Sequence, residues 1–510
     1  MSDNSRLIVS ALRKTNPQLA NAIDAENSWG AGIKKRGARV AKYRRYERGD
    51  HDANITDQMR KMLRLTSDDA DLTDFSINYM RIVVDKMAGR LRVSEITTKD
   101  EVQNKWISNI LTYNDWESFQ GILYRAAIRD GDSYVMVDPQ TLKWMAEPAY
   151  DGFSGIVAIF ASAQDYPLWA CKLWSEVDTA VDQVGEESST TVAMKLTVYQ
   201  PNSITYWKGG VGTQEVEEDQ RVIVATGQVD FMGHDQEWLL SFVPIIHLAN
   251  LIDNYTRYGE SELRVAIPPQ NVLNRTLHSM VMASEFAAFK IAWSIGLELD
   301  KSGITPGAVL NLVLTDSSGK VITELTADQI AFLQACRVGE FAETDISQYT
   351  NQLAEIVKHI SQETQTPIYG VTAEGNLSGE ALKQLEIGLI GKVKRFQREN
   401  TGAIRLLIEL TAAIQSKFET EIEGEAPKLE GISINWQSPE ILDQGQQITA
   451  LVTMREKAPG LFDDDFYRQR IGGILDLSQT QIKEEGEKAT NSQSMLFETM
   501  SGGGGSVPIV

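Results

Sequence analysis

Cysteine is almost missing from this chain of 510 residues, with Cys171 and Cys336 the whole supply. Two cysteines cannot lay out a disulfide framework, and they fit a reducing compartment. Histidine is scarce too: His51, His234, His247, His278 and His359 are scattered singly. Neither H-E-x-x-H nor C-x-x-C occurs, so no zinc-site pattern is offered, and a lone histidine in such a setting is read as an ordinary surface or core residue. The phosphate-cradling G-x-x-x-x-G-K-[ST] is absent. Its nearest string, Ser317-Ser318-Gly319-Lys320-Val321, lacks the upstream glycine and the magnesium-binding hydroxyl. There is no Gly-x-Ser-x-Gly elbow. No run of about 18 apolar residues occurs, and Met1–Arg6 holds no apolar signal core, so the expectation is a soluble intracellular product without a membrane span. Together these absences predict no cofactor, no metal and no catalytic residues.

Positive charge is in deficit as well. Lys and Arg number 49 against 70 Asp and Glu, a net charge of −21. Clamping nucleic acid along a whole surface needs an excess of cations, which excludes that class. An acidic wall past which DNA slides, touched by a few lysines, stays compatible. One local exception exists. Lys34, Lys35, Arg36, Arg39, Lys42, Arg44, Arg45 and Arg48 are opposed only by Glu47. Such a run is either a nucleic-acid patch or a helix paired with acidic neighbours or subunits, and the acidity of the rest favours pairing.

What is present is ample material for cores. At this length, with 42% hydrophobic residues, two to four domains are expected. Residues 1–130 read as helical. Strand-rich runs follow at Tyr134–Val137, Gly155–Phe160, Met194–Tyr199 and Ser203–Trp207, the last two forming a hairpin across Pro201-Asn202. Glu186–Thr191 and Gly209–Gly212 read as loops. An antiparallel sheet over 131–250 against N-terminal helices makes the class α+β. Pro268-Pro269 suit a helix start, and Leu273, Leu277, Met280, Ser284 and Ala287 repeat at helical spacing. Ile346, Tyr349, Leu353, Ile356 and Ile360 form a second stripe, with Thr344 or Asp345 as N-cap. Between them, Val309–Leu314 and Val321–Leu325 flank the turn Asp316-Ser317-Ser318-Gly319-Lys320, a paired-strand pattern. Two struts carrying a compact tip is the resulting picture.

A polar loop at Asn376–Ser378 then enters a helix whose apolar run is broken by Gly388 and Gly391. Each helical glycine costs about 1 kcal/mol relative to alanine, so a kink or an opening is expected there. Val393, Phe396, Ala403, Leu407 and Leu410 continue the helix to about Lys417. A charged loop, a short strand at Ile432–Trp436, short helices over 440–487 and a flexible Ser501–Ser506 tail complete the chain. Asp463-Asp464-Asp465 invites a metal-dependent nuclease reading, set against the commoner role of complementing a helix N-terminus. A plain oligomeric scaffold is the third alternative.

Several segments in order resemble the Gp6-like portal proteins of tailed bacteriophages. They are Tyr46-Glu47-Arg48-Gly49-Asp50-His51, Asn78–Asp85 ending in Val83-Val84-Asp85, Leu196–Ile204, Pro244–Leu248 with Gly259-Glu260-Ser261-Glu262-Leu263, Ala283–Ala288 and Ser378-Gly379-Glu380-Ala381-Leu382-Lys383. Glu260 stands where the family usually carries arginine. The resemblance spans about residues 35–485. It implies a wing over 1–260, stem helices at 261–289 and 341–366, a clip at 290–340, a tunnel-loop region at 367–392, a long kinked spine helix and returning strand over 393–436, a crown at 437–500 and a tail at 501–510. It further implies a dodecameric homo-oligomer at the capsid portal vertex of a virion, assembled in the host cytoplasm. Double-stranded DNA would pass through its channel, and a terminase motor, a head–tail adaptor and the major capsid and scaffolding proteins would be partners. The tunnel loop would include Ser378, Gly379, Glu380, Lys383, Ile387, Gly388, Leu389, Ile390, Gly391 and Lys392. Ile387, Leu389 and Ile390 would form an apolar ring, and Lys383, Lys392 or Lys394 a sparse cationic one. Asp316–Lys320 would dock partners at the clip.

Overall fold

A computed structural model describes residues 4–26, 29–52, 76–160, 166–181, 187–217, 220–235, 240–253, 257–288, 292–295, 326–335, 337–340, 346–368, 379–418, 420, 422, 426–440, 444–457, 466–468 and 470–471. The chain divides into two compact units, Met1–Gln437 and Ser438–Val510.

The first unit opens with helices α1 (Ser5–Thr15), α2 (Pro17–Glu26) and α3 (Trp29–Arg48), followed by α4 (Met80–Ala88), strand β1 (Val93–Thr97), α5 (Glu101–Tyr113) and α6 (Trp116–Asp130). In α1, Leu7, Ile8, Ala11 and Leu12 occupy one face and are fully buried, the amphipathic spacing of a helix laid on a sheet. Asp100 caps α5 by accepting from the backbone N–H of Val102 and Gln103 at 2.8 and 3.0 Å. Gly131, at φ +93°, ends α6, where a side chain would be strained.

Two sheets follow. Strands β2 (Asp132–Val137), β3 (Trp144–Pro148) and β9 (Ile245–Ala249) form a three-stranded antiparallel sheet with β2 in the centre. All six residues of β2 are buried, as a central strand covered on both faces requires. Strands β4 (Gly155–Ile159), β5 (Trp169–Val181), β6 (Glu187–Gln200), β7 (Ser203–Glu217) and β8 (Gln220–Asp235) form an antiparallel meander in chain order. The hairpin at Pro201-Asn202 has the expected two-residue turn, with Gln200 facing Ser203 and Asn202 at φ 57°.

Both expected loops are strand instead. Residues 187–191 belong to β6, where Thr190 faces Thr179 and Thr191 faces Asp178. Gly209–Gly212 lie inside β7, with a register shift between Gly209 and Val211. Polar and glycine-rich composition mimicked a loop, but β-branched threonines suit a ladder and glycine tolerates a bulge. Gly209 has a further reason: a Cβ there would sit 2.8 Å from the Leu7 side chain, so the missing side chain lets α1 reach the sheet.

Helix α7 runs from Leu263 to Ala288, five residues earlier than its prolines suggested. Ser261 Oγ accepts from the N–H of Leu263 at 3.0 Å and starts it. Pro268 and Pro269 therefore lie inside the helix, where they give up two intrahelical bonds. Strand β10 (Ala292–Ile295), helix α8 (Ala327–Ala335) and strand β11 (Arg337–Glu340) come next, with β10 and β11 antiparallel partners. Helix α9 (Ser347–Glu363) packs back on α7 through Leu273, Ile356, Val357 and Ile360. Its N-cap is Ile346, without a side-chain hydrogen bond; Thr344 and Asp345 lie outside the described residues. Helix α10 (Gly379–Lys417) is continuous over 39 residues, and β12 (Ser433–Trp436) pairs with β1. Among described residues, no helix is long and apolar enough to cross a membrane.

The main core gathers Val83 and Val84 of α4, Leu123 and Tyr124 of α6, β2, β9, and Leu389, Val393, Phe396, Leu407 and Leu410 of α10. A second core lies between α1 and the meander around Trp169, Leu173 and Met194. In the second unit, α11 (Gln444–Lys457) carries Arg455, whose guanidinium lies 6.0 Å from the Tyr467 ring.

Gly131 and Gly259 cross so closely that a Cβ on Gly259 would lie 1.9 Å from the Gly131 carbonyl oxygen. Backbone on both sides leaves nothing flexible to yield. Gly259→Ala is expected to destabilise the folded chain by about 3 kcal/mol or more, measured as a lower urea midpoint at unchanged slope.

Candidate functional site at the junction of three helices

The start of α7, the end of α9 and the first half of α10 converge on one buried charge pair. Lys392 Nζ donates to Glu262 Oε2 at 2.7 Å, to the Thr364 carbonyl at 2.5 Å and to Thr366 Oγ1 at 3.4 Å. The two side chains are 6% and 5% exposed. Glu262 Oε1 accepts from Asn250 Nδ2 at 3.1 Å, and Arg395 Nη2 lies at 3.5 Å. Every proton of the ammonium has an acceptor, the condition under which a buried ion pair is tolerated. Backbone geometry supports it: Glu260 N donates to Asn250 O at 2.6 Å and Glu262 N to Ile128 O at 3.2 Å.

Gly388 explains how α10 approaches. A Cβ there would meet the Gln365 side chain at 3.0 Å, and Gln365 has a left-handed φ of 49°. The turn after α9 thus sits on α10 only because position 388 has no side chain. Arg90 adds an ion pair to Glu386 at 2.9 Å.

A second polar joint ties α3 to α7. Tyr46 Oη donates to Asn271 Oδ1 at 2.8 Å. The carbonyl of Tyr46, which can only accept, takes the His51 Nε2–H at 3.0 Å, so Nδ1 is the acceptor for Asn274 Nδ2 at 2.8 Å. Asn274 Oδ1 and Gln270 Oε1 accept from the N–H of Ile77 and Tyr79 at 3.1 and 3.2 Å, and Asn78 Nδ2 donates to the Glu47 carbonyl at 3.0 Å. The Tyr46–His51 and Asn78–Asp85 segments therefore meet at α7.

A third cluster surrounds Asp132. Its Oδ1 accepts from Gly259 N and His247 Nε2, both at 2.7 Å, and its carboxylate pairs with Arg36, whose guanidinium stacks 3.6 Å from the Tyr258 ring. Burial, then the Arg36 and Arg257 cations, push His247 down to about 3. Burial also lowers His51.

Half of the basic run is paired with acids of the same subunit. Arg36 pairs with Asp132, Arg44 with Asp130 and Asp151 at 2.8 and 2.7 Å, and Lys42 and Arg45 with Asp52. Burial works to raise the Asp52 carboxyl, but the Tyr46 hydroxyl and then the Arg45 and Lys42 cations outweigh it and hold it down to about 2. Lys34, Lys35, Arg39 and Arg48 stay exposed.

The sequence-selected loop residues divide. Ser378, Asp316–Lys320 and Asp463–Asp465 lie outside the described residues. Gly379, Glu380 and Lys383 occupy the first turns of α10. Ile387 is 65% exposed, Ile390 half-buried and Gly391 exposed with open space around it. Leu389 belongs to the main core and Lys392 to the Glu262 pair. The expected opening at the glycines is not present: α10 runs unbroken through them, Gly388 serving packing and the apolar face continuing beyond. Glu262, Thr364 and Thr366 were not singled out for this site; the motif around Gly259 held the only signal. Among described residues, no group of three or more His, Cys, Asp or Glu is placed to hold a metal ion.

A family model described as phage portal protein, SPP1 Gp6-like, matches residues 34–492. The chain belongs to this portal family. No curated protein matches. Solved structures similar to the chain include one described as "Neck of empty GTA particle computed with C6 symmetry", 10% identical, covering 82% of this chain and 94% of its own, TM-score 0.38. Another is "Neck of native GTA particle computed with C12 symmetry", 11% identical, covering 83% and 94%, TM-score 0.36. Likenesses of that size establish no shared arrangement. The portal family's usual arginine is replaced here by Glu260, which pairs with Arg264 one turn on.

Breaking the buried pair leaves one charge uncompensated. Lys392→Met alone is expected to cost about 3–5 kcal/mol, and Lys392→Met with Glu262→Leu to recover most of it, read by urea unfolding of the dilute chain. A histidine held near 3 in the fold but titrating near 6.5 when unfolded stabilises the fold above that pH and loses the contribution as pH falls. Between pH 6.5 and 5 stability should drop by about 2 kcal/mol for this group. His247→Gln, which keeps the donor to Asp132, should flatten that slope and leave only the smaller fall from His51.

Proposed function

We propose that the chain is one subunit of the ring-shaped portal at a phage capsid vertex. Double-stranded DNA enters through the ring during packaging and leaves through it during ejection. A terminase motor docks first and a head–tail adaptor later, and the major capsid and scaffolding proteins surround the ring. The observation that carries this reading is the family match over residues 34–492.

The fold supports the division of labour. Helices α7 and α9, packed on each other, serve as the stem within 261–289 and 341–366. The pairing of β10 with β11 supports taking residues 290–340 as the clip, and Asp316–Lys320 are assigned to partner docking there. Residues 1–260, with α10 and β12, form the wing, and 437–500 the crown. The tunnel loop then comprises the segment entering α10, with Ser378, Gly379, Glu380, Lys383 and Ile387 toward the channel. Gly388, Leu389, Ile390, Gly391 and Lys392 form its anchored base.

Guidance is passive in this mechanism. ATP hydrolysis belongs to the separate motor. A chain with net charge −21 presents few cations to phosphate, so DNA slips rather than binding at each step. Movement of the loop uses the N-terminal turns of α10 and ends at the base, where Gly391 is a helical glycine with free space around it.

Electron microscopy of the purified chain with mass measurement tests the reading. Rings with a central hole and about twelve copies of 56.7 kDa are expected, while monomers or dimers at every concentration would reject it. Gly391→Ala should stabilise the isolated subunit by about 0.5–1 kcal/mol. Among the rings that form it should slow DNA packaging; unchanged packaging per ring would remove the bending role.

A further inference from the structure

We propose that the exposed stripe of α10 seats on an acidic groove of the next copy in the ring, which makes these two surfaces the heterologous contact between wings. This rests on the portal reading for the existence of a ring.

The stripe consists of the exposed residues Gly391, Lys394, Arg398, Gly402 and Arg405, spaced at helical intervals along one line. From 391 to 405 it runs about 21 Å. The guanidinium groups of Arg398 and Arg405 have no hydrogen bond or ion pair among the described residues. This line carries three cations and meets no acid before Glu409; Glu399, beside Arg398, lies off it and faces Arg395. The glycines sharpen the case, because a Cβ at Gly391 or Gly402 would meet nothing within 4 Å. An exposed helical glycine costs stability in the isolated subunit, and two along one face allow another backbone to approach closely.

The matching surface is a groove of about 340 Å³ between β1 and helices α5 and α6. Its floor is apolar, with Val93, Ile96 and Trp116, and its acids are Glu95, Asp115 and Glu117. No lysine or arginine lines it. Glu117 meets Arg92 at the rim at 3.1 Å, and Glu95 accepts from Asn435 at 3.3 Å. Asp115 has no side-chain cap bond at the start of α6. None of the stripe residues lines the groove of its own subunit, as a ring requires: head-to-tail contacts join two different faces of identical chains. Charge complementarity therefore identifies the occupant as a second copy rather than DNA, since DNA would account for the stripe and leave the acidic groove without a partner.

Charge reversal in the full chain tests this, with thermal unfolding confirming that each variant folds. Arg398→Glu with Arg405→Glu should raise the concentration for half-assembly into rings at least about tenfold. Glu95→Lys with Glu117→Lys should do the same, and all four together should restore at least half of the rings. Independently, Arg405→Cys with Glu95→Cys in a Cys336→Ser background should give a ladder of covalent oligomers under oxidation, the remaining native Cys171 being buried. Wild-type ring yield in either reversal, or no ladder while rings are seen, overturns the proposal and leaves the portal reading standing. Normal rings with altered DNA passage also overturn it and assign the stripe to DNA. A wild-type chain that never forms rings fails the portal reading itself, and this contact with it.

Discussion

One buried salt bridge sets the geometry of the first compact unit. Lys392 and Glu262 are almost fully removed from water, an environment in which an unpaired charge costs several kcal/mol. The pair is satisfied only when Thr364, Thr366 and Asn250 are also in place. Three helix segments are therefore held in one arrangement by a single set of acceptors. Hydrophobic packing through Leu273, Val357 and Ile360 brings α7 and α9 together, but packing of this kind is non-directional and tolerates sliding. The ammonium does not tolerate it, because displacement by one residue would leave its donors facing apolar side chains. The same logic extends to Asp132, which binds α3 through Arg36, β9 through His247 and the segment before α7 through Gly259.

These interactions explain the placement of charge. A net charge of −21 repels itself across the surface, and each internal Arg–Asp pair removes one acid from that field. The run from Lys34 to Arg48 looks like an exposed patch when counted along the chain. Folded, its central members turn inward to Asp132, Asp130, Asp151 and Asp52. Uncommitted cations remain instead on α10, at Arg398 and Arg405, where sequence showed only scattered basic residues in a long amphipathic helix.

Helical periodicity was legible because burial enforces it: Ile356, Ile360, Val393, Phe396, Leu407 and Leu410 all face cores as their spacing implied. The Pro201-Asn202 hairpin was legible from turn chemistry. Glycine and proline were read less well, since each has more than one use. Gly209–Gly212 looked like a loop and is strand, because a meander accepts glycine where a helix presses on it. Pro268 and Pro269 looked like a helix start and lie within one, because Ser261 supplies the cap first. The candidate site itself was half visible: Lys392 stood out as a lysine near glycines, but its acceptors are 26 to 130 residues away in sequence. No local pattern encodes a contact of that range.

Gly388 and Gly391, three residues apart on one helix, show how the same residue type serves opposite ends. At 388 the missing side chain is filled by Gln365, so the glycine adds rigidity by letting a turn seat against the helix. At 391 nothing fills the space, and the glycine only weakens the helix it sits in. Lys392 follows immediately and is held by three acceptors, so any loosening that begins at the N-terminus of α10 stops at that ammonium. The first turns, Gly379 to about Ile387, can then change shape without disturbing Val393 and Phe396 in the core. In the portal reading proposed above, a channel-lining segment needs a fixed root, and the buried charge pair supplies it rather than the length of the helix.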